Sequence, residues 1–369
     1  MKIFFEKFKK LDFFIIISAG LLLAVGILAI FSATHSKSGS SYVFRQLFSA
    51  CAGIFLFLFF SWIDYRFLKK FSFLAFSLSV IVLLAVLAAG KTVNGAKSWM
   101  QIGAWRFQPV EFIKLAMIIV LAKFFSKNFK NLNQFKYVVA SLFITFVPVG
   151  LVLLQPDPGS AFVIFAIWAG LVLTAGIRKR HMAILIFLAL ISSFLGWKFA
   201  LKDYQKARIT TFINPYEDPR GRGYNAIQSV IAVGSGGIWG KGIGNGSQGR
   251  LNFLPERHTD FIFANIAEEM GLVGAVFLLA LYAVLLSRIL RIALTANDNF
   301  ARFLSIAIAL MIFTHVLENI GMNIALMPIT GIPLPLVSLG GSNLMVVMAS
   351  LGIAQSVVIH KINPLETDF

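Results

Sequence analysis

Apolar runs of about 20 residues, each long enough to cross the hydrocarbon core of a bilayer, recur along the whole chain. Hydrophobic residues make up 58% of the 369 residues and charged residues only 13%. Together these features predict an all-α, polytopic integral membrane protein that forms a single domain over residues 1–369. Ten transmembrane helices are predicted, near residues 12–33, 43–62, 68–89, 109–126, 136–154, 159–176, 182–200, 261–287, 300–325 and 341–360.

Lys and Arg residues are distributed unevenly among the connections between these spans. One set of connections is basic, for example around Lys69 and Arg178, whereas the short connections on the opposite side carry few basic residues. Because basic loops stay in the cytoplasm, both termini are predicted to be cytoplasmic. Topology and anionic lipid then account for most of the formal charge of +17, and nucleic acid is not expected as a partner.

The segment from about 201 to 260 is predicted to be one large extracytoplasmic loop. Its middle, GSGGIWGKGIGNGSQG (234–249), is rich in glycine, which permits positive φ and a close approach of backbone to a ligand. This part is compatible with an ordered re-entrant lid and equally with a flexible tether. The preceding residues 224–233 predict a short amphipathic helix lying on the membrane surface.

Charged residues inside predicted spans are costly and each of them needs a physical reason. Glu111 and Lys114 stand three residues apart, which places them on one helix face and lets them pair. They form either a structural ion pair or the wall of a polar cavity in which one partner is released to a substrate. Glu318 is predicted to face the bundle interior, and the nearby His315 is expected to be a hydrogen-bonded packing residue.

Two aspartates are predicted at the outer ends of spans. Asp157, in QPDPGSA, is expected either to cap a helix or to line the same chamber as the long loop. Asp260 ends that loop, in LPERHTDFIF (254–263), where it or Thr259 could cap the next helix. A carboxylate among arginines beside a membrane also suits an anionic lipid headgroup. The arginines would bind phosphate, and the carboxylate would take a proton or hold a divalent cation.

Four stretches resemble, in order and spacing, the landmarks of the SEDS family (shape, elongation, division and sporulation). They are NGAKSWMQIGAWRFQPVEFIKL (94–115), QPDPGSA (155–161), LPERHTDFIFANIAEEMG (254–271) and GIPLPLVSLGGSNL (331–344). The resemblance covers essentially the full chain. The Pro-Glu-Arg-His form is most similar to the elongation branch, RodA, and the division branch, FtsW, is the alternative.

The resemblance implies a peptidoglycan glycosyltransferase of the bacterial inner membrane that polymerises lipid II at the outer face during cell elongation, with undecaprenyl diphosphate leaving. It also implies two partners, a class B penicillin-binding protein transpeptidase and the elongation machinery, and no organic cofactor. By matched motif, Asp260 is the essential carboxylate of the family. Glu111, Lys114 and Asp157 match polar positions of its central cavity and are expected to bind substrate.

Two roles are open for Asp260 in such a reaction. It is the general base for the attacking sugar hydroxyl, or it is a ligand of Mg²⁺ or Mn²⁺ on the diphosphate. Arg208 and Arg257 are the favoured cations for the leaving diphosphate. Several nearby arginines would depress the pKa of Asp260 and weaken it as a base. A lipid II flippase and a non-catalytic scaffold that recruits a transpeptidase are the alternatives from other functional classes.

Overall fold

The computed structural model describes residues 10–34, 39–93, 96–102, 105–200, 203–247 and 253–361. Within these ranges the chain is mostly helical, as predicted. The helices are α1 (Phe13–Ala33), α2 (Gly39–Trp62), α3 (Tyr65–Ala89), α4 (Pro109–Asn128), α5 (Phe135–Leu154), α6 (Pro158–Thr174), α7 (Lys179–Leu195), α8 (Asp203–Ile213), α9 (Tyr224–Ser235), α10 (Ile262–Leu294), α11 (Asn299–Asn323) and α12 (Gly341–Ile359). A π-helical turn, Gly196–Ala200, follows α7, and short 3₁₀ turns occur at Phe129–Asn131 and Pro215–Glu217.

Eight of the described helices are long and apolar enough to cross a membrane, namely α1, α2, α3, α5, α7, α10, α11 and α12. Helix α6 is apolar but has only 17 residues. Helix α4 has 20 residues and carries Glu111 and Lys114 among its apolar positions. The chain is therefore a multi-pass membrane protein, which confirms the predicted class.

A small antiparallel sheet, which the sequence did not predict, connects α3 to α4. Its strands are β1 (Lys91–Val93), β2 (Ala96–Ile102) and β3 (Trp105–Phe107), in the order β1-β2-β3. Lys91 pairs with Trp99 in the first hairpin, and Met100 pairs with Phe107 in the second. Strands of three to seven residues are too short to show a clear alternation of apolar and polar side chains. The sequence therefore predicted only a short connection between the two spans.

Helices α11 and α12 form the inner part of the bundle and are buried along most of their length. Helix α12 packs on α2, where Gly352 lies so close that a Cβ would stand 2.4 Å from the carbonyl oxygen of Phe57. Helix α11 packs against α4, α6 and α10. Because α11 is surrounded by these helices and also contacts α9 and α12, polar side chains along it reach the interior of the bundle rather than lipid.

The glycine-rich segment between α9 and α10 is ordered over its described part. It lies on a break in α10 at Gly271, whose φ of 65° and ψ of −164° are not helical. Lys241 N donates to the carbonyl of Glu268 at 3.1 Å, and a Cβ on Gly240 would stand 2.2 Å from the carbonyl oxygen of Glu269. Glycine is needed here because the two backbones pack directly against each other. Residues 236–247 are therefore ordered, in agreement with the first of the two predicted alternatives, and do not form a flexible tether. The rest of the tract, 248–249, lies outside the described residues.

Helix α9 is present where a surface helix was predicted, but it does not simply lie on the membrane. Ser229 and Ala232 are fully buried against α10 and α11. Ser229 Oγ donates to the carbonyl of Asn323 at 2.9 Å. The segment between α7 and α10 is therefore joined to α11, inside the bundle, through specific contacts.

Candidate active site around Asp260

The segment that carries Asp260, residues 254–261, is a tight turn before α10. Glu256 has a φ of 52°, and its carbonyl accepts hydrogen bonds from Thr259 N at 3.1 Å and Phe261 N at 3.2 Å. The N-cap of α10 is Phe261, which makes no side-chain cap hydrogen bond. Thr259 Oγ1 instead donates to Glu256 Oε2 at 3.0 Å. The predicted cap by Thr259 or Asp260 is wrong, because the helix begins later and leaves Asp260 without a capping role.

Two distant parts of the chain hold this turn in place. From α11, Asn319 Nδ2 and Asn323 Nδ2 donate to the carbonyl of Asp260 at 2.9 Å and 3.0 Å. From the proline-rich loop, residues 331–340, Ser338 Oγ donates to the carbonyl of the residue before Asp260 at 2.6 Å. The motifs LPERHTDFIFANIAEEMG (254–271) and GIPLPLVSLGGSNL (331–344) therefore meet around the carboxylate of Asp260.

The Asp260 carboxylate is half-buried and receives no side-chain hydrogen bond from the described residues. It faces Gly331, where φ is +75° and an added Cβ would stand 3.3 Å from Oδ2. Burial, with a smaller contribution from the charge of Glu256, raises the pKa of Asp260 from 3.8 to about 7. The predicted depression by arginines is wrong, because loss of hydration dominates and the charge that adds to it, that of Glu256, is negative.

Arg257 does not face Asp260, although the two are close in sequence. Its Nε donates to the carbonyl of Ala33 at the end of α1, at 2.6 Å. Burial lowers the pKa of Arg257, and the charges of Glu269 and Glu268 oppose that effect. A guanidinium at the carboxyl end of a helix satisfies a free carbonyl and suits the helix dipole. In this conformation Arg257 anchors the Asp260 segment to α1.

A cleft of about 580 Å³ opens between α8, α9 and the residues that follow α11. We call it the arginine cleft. Its polar lining includes Arg208, Arg222, Thr211 and Asn225, and its apolar lining includes Pro156, Phe212, Met322 and Met327. Among the described residues, no hydrogen bond or salt bridge engages either guanidinium or joins one to Asp260. The cleft therefore offers two available cations beside an apolar wall, a combination that suits a phosphate group attached to an apolar chain.

The Glu111 and Lys114 pair is present and lies deep in the bundle. Lys114 Nζ stands 2.8 Å from Glu111 Oε1 and 3.0 Å from His315 Nε2. Asn343 Nδ2 donates to Glu111 Oε2 at 3.0 Å, and His315 Nδ1 lies 2.8 Å from the carbonyl of Met311. Glu111 and Lys114 are 1% and 0% exposed, so the structure shows the ion-paired alternative rather than a side chain released into an open cavity.

Asp157 caps α6, which was one of the two roles predicted for it. Its Oδ1 accepts from Ser160 N at 3.0 Å, and its Oδ2 accepts from Gln108 Nε2 at 3.1 Å, just before α4 begins. Glu318 faces inward as predicted, and its Oε2 is buried without a hydrogen-bond partner in the described part of the chain. These groups and Lys114 form a polar layer where α4, α6 and α11 meet.

Polar side chains on successive turns of α11 join this layer to the turn that carries Asp260. His315 and Glu318 lie in the layer, and Asn319 and Asn323 reach the carbonyl of Asp260. Sequence reasoning missed both asparagines. Their spacing of four residues within an apolar span was the available signal, since buried amides need partners and residues i and i+4 share one helix face.

Comparison with known proteins agrees with this architecture. A family model described as cell cycle protein, for the FtsW, RodA and SpoVE group, matches residues 10–363. Peptidoglycan glycosyltransferase MrdB of Escherichia coli (strain K12) is 38% identical over 340 residues, which covers 92% of this chain and 91% of the relative. Stage V sporulation protein E of Bacillus subtilis (strain 168) is 39% identical over 357 residues, covering 94% and 96%.

Two solved structures share the fold over nearly the whole chain. One, from work on structural coordination of polymerization and crosslinking by a peptidoglycan synthase complex, has a TM-score of 0.80 and 31% identity, covering 94% of this chain and 97% of that chain. The rod shape determining protein RodA of Thermus thermophilus has a TM-score of 0.70 and 28% identity, covering 96% and 98%. This chain therefore belongs to the FtsW, RodA and SpoVE family of cell cycle proteins.

Proposed function

We propose that this protein is a peptidoglycan glycosyltransferase that polymerises lipid II into glycan strands. Its family membership and the names of its relatives support the activity. The structural observation that carries the proposal is Asp260, a carboxylate with no capping role and a pKa of about 7, held at the lip of the bundle.

Asp260 is the general base in this proposal. The 4-hydroxyl of one lipid-linked disaccharide attacks the anomeric carbon of the MurNAc of another. The hydroxyl proton passes to the carboxylate, the new C–O bond forms, and the bond to undecaprenyl diphosphate breaks. A base works best when its pKa lies near the working pH, because it is then both ionised and strong enough to accept the proton.

The leaving diphosphate is assigned to the arginine cleft. Arg208, favoured from the sequence, and Arg222 supply positive charge that no described residue neutralises. Fixed cations at the point where negative charge develops stabilise the transition state more than the ground state. The apolar wall would accept the first units of the lipid chain. The diphosphate role of Arg257 and the substrate contacts of Glu111, Lys114 and Asp157 stay predictions.

A divalent ion, Mg²⁺ or Mn²⁺, bound by Asp260 and the diphosphate is the alternative role for this carboxylate. Among the described residues, no group of three or more His, Cys, Asp or Glu side chains gathers into a metal site. Mg²⁺ is usually held by one or two carboxylates together with substrate phosphates, so Asp260 would be the protein ligand and the diphosphate would supply the others. The proposed reaction is written for Asp260 as the base, without a metal. Activity unchanged by a chelator would remove the metal role.

The setting we propose is the bacterial inner membrane, crossed by ten helices, with both termini cytoplasmic and Asp260 on the outer face. Helices α4 and α6 would be the two spans beyond the eight long apolar ones. A class B penicillin-binding protein is the proposed partner, supported by the similar structure from a complex of polymerization and crosslinking. A role in elongation with the elongation machinery is supported by the similar rod shape determining protein, and the division role is the alternative.

Polymerisation of purified lipid II by the detergent-solubilised protein, alone and with its transpeptidase, tests this proposal. Asp260→Asn is expected to reduce the rate by about 10²- to 10⁴-fold, the usual contribution of a general base. Asp203→Asn is the matched control, because Asp203 is an exposed aspartate of the same segment between α7 and α10. Polymer from Asp260→Asn at the wild-type rate rejects the catalytic role. Translocation of lipid II without polymer would favour the flippase alternative.

A further inference from the structure

We propose that Asn319 and Asn323 are positioning residues that fix the position of Asp260 relative to the proline-rich loop and the arginine cleft. The inference rests on the proposed role of Asp260 as base. Both asparagines are fully buried on α11, and no substrate could contact them without a rearrangement of the bundle. Any effect they have on the reaction must therefore pass through the groups that they contact, and the carbonyl of Asp260 is the one that both share.

Asn319 connects the turn that carries Asp260 to the proline-rich loop that faces its carboxylate. Its Nδ2 donates to the carbonyl of Asp260 at 2.9 Å and to the carbonyl of Ile332 at 2.8 Å. Ile332 directly follows Gly331, the residue that faces the Asp260 carboxylate. One amide thus uses both of its N–H donors to fix the spacing between the turn and the loop.

Asn323 connects the same carbonyl to the segment between α7 and α10. Its Nδ2 donates to Asp260 O at 3.0 Å and to Asn319 O at 2.7 Å. Its Oδ1 accepts from Ala264 N, in the first turn of α10, at 3.2 Å. Ser229 Oγ lies 3.2 Å from the same Oδ1 and shares its hydrogen between it and the Asn323 carbonyl. The amide needs donors at one end and an acceptor at the other, a requirement that asparagine meets in this space and a carboxylate or an aliphatic side chain does not.

This network reaches the arginine cleft through α9. Ser229 lies on α9 one turn after Asn225 and Ala226, which line the cleft, and Met322 beside Asn323 lines it from α11. The side chain of Asn323 thus contacts both the backbone of Asp260 and the helix that lines the cleft. If Asp260 is no longer held in this position, kcat falls, because a base misplaced by about 1 Å costs about 100-fold in rate. Binding of the substrate in the ground state is then nearly unchanged.

Asn319→Ala is expected to lower kcat about 10- to 100-fold with KM unchanged. It also frees two carbonyls, and water that enters to satisfy them hydrates the carboxylate of Asp260. Because burial is the main cause of the raised pKa of Asp260, the acid limb of the pH–rate profile should move to lower pH. Glu256 is the charged group that still faces the carboxylate, so the midpoint should stay above the ordinary value.

The experiment measures kcat, KM and the acid limb for lipid II polymerisation by the full-length protein carrying Asn319→Ala, Asn323→Ala or Asp260→Asn. Thr314→Val is the matched control, since Thr314 is buried on α11 but bonds only within its own helix, to the carbonyl of Leu310 at 2.8 Å. Asn319→Ser, which keeps one donor, is included to retain a folded variant and is expected to lose less kcat than Asn319→Ala.

A fall in kcat with constant KM and a shifted acid limb, absent from Thr314→Val, supports positioning. Wild-type constants for the asparagine variants, or a loss of activity without any shift of the acid limb, overturn it. If Asp260→Asn is inactive while the asparagine variants behave as wild type, only the positioning inference fails. If Asp260→Asn polymerises normally, the proposed function itself fails.

Discussion

Asp260→Asn is expected to stabilise the folded protein at neutral and alkaline pH while it removes activity. In the folded protein the carboxylate is half-buried beside Gly331, has no described hydrogen-bond donor and stands near the charge of Glu256. Ionising such a group is unfavourable. Asparagine has nearly the same shape and carries no charge, so this cost disappears in the variant.

The size and sign of the effect follow from the pKa of Asp260, which is about 7 in the folded protein against an ordinary 3.8. Below the lower value both states are protonated and there is no cost. As pH rises from 3.8 through 7 the folded state loses stability, and above 7 the full cost is present. About 3 pKa units at about 1.4 kcal/mol each give an upper bound of about 4 kcal/mol. Partial exposure reduces this to about 1–2 kcal/mol.

Thermal unfolding of the purified protein in detergent measures this difference. At about pH 8, Asp260→Asn should have a Tm higher by a few degrees, and the gain should shrink as pH falls toward 4. Asp203→Asn, in an exposed position, should show no such gain. A variant that is no more stable than wild type at pH 8, or equally more stable at every pH, would refute the reasoning that the carboxylate is desolvated.

Three further outcomes are expected. Glu256→Gln should lower the pKa of Asp260 and move the acid limb of polymerisation to lower pH, measured from initial rates. Arg208→Gln should reduce kcat/KM for lipid II by about 10-fold or more, measured in steady-state kinetics, because a cation of the arginine cleft is lost. Lys114→Met should destabilise the protein by about 3–5 kcal/mol, measured by unfolding, because the buried charge of Glu111 loses its partner.

Each of these has a result that would count against it. An unmoved acid limb in Glu256→Gln would mean that its charge does not reach Asp260. The control for the cleft is Arg220→Gln, an exposed arginine outside the lining, and equal losses in Arg208→Gln and Arg220→Gln would argue for a general charge effect. Wild-type stability of Lys114→Met would mean that the Glu111 site is hydrated or protonated.

Features that depend on local periodicity could be predicted from the sequence. Apolar runs gave the positions of the long helices, and the spacing of Glu111 and Lys114 gave their ion pair, because both follow from the geometry of a single helix. The break at Gly271 was not predicted, since it depends on how the glycine-rich segment packs across α10. That contact joins residues that are distant in sequence.

The same limit explains the errors at the site. Arg257 is three residues from Asp260 in sequence, yet its side chain runs to Ala33 on α1, so counting neighbouring charges gave the wrong sign for the pKa of Asp260. Desolvation, which decides that sign, depends on the proline-rich loop closing over the turn. Asn319 and Asn323 were missed because their partners are backbone carbonyls of another segment, which no sequence motif marks.

The most direct test of the central claim is the pH dependence of the initial rate of lipid II polymerisation, measured with and without a chelator. If Asp260 is the base, the rate rises through a midpoint near pH 7, the chelator leaves it unchanged, and the residual activity of Asp260→Asn lacks this rise. A wild-type rate that is flat across pH 7, or that is lost with the chelator and restored by Mn²⁺, would contradict the assignment of Asp260 as the base.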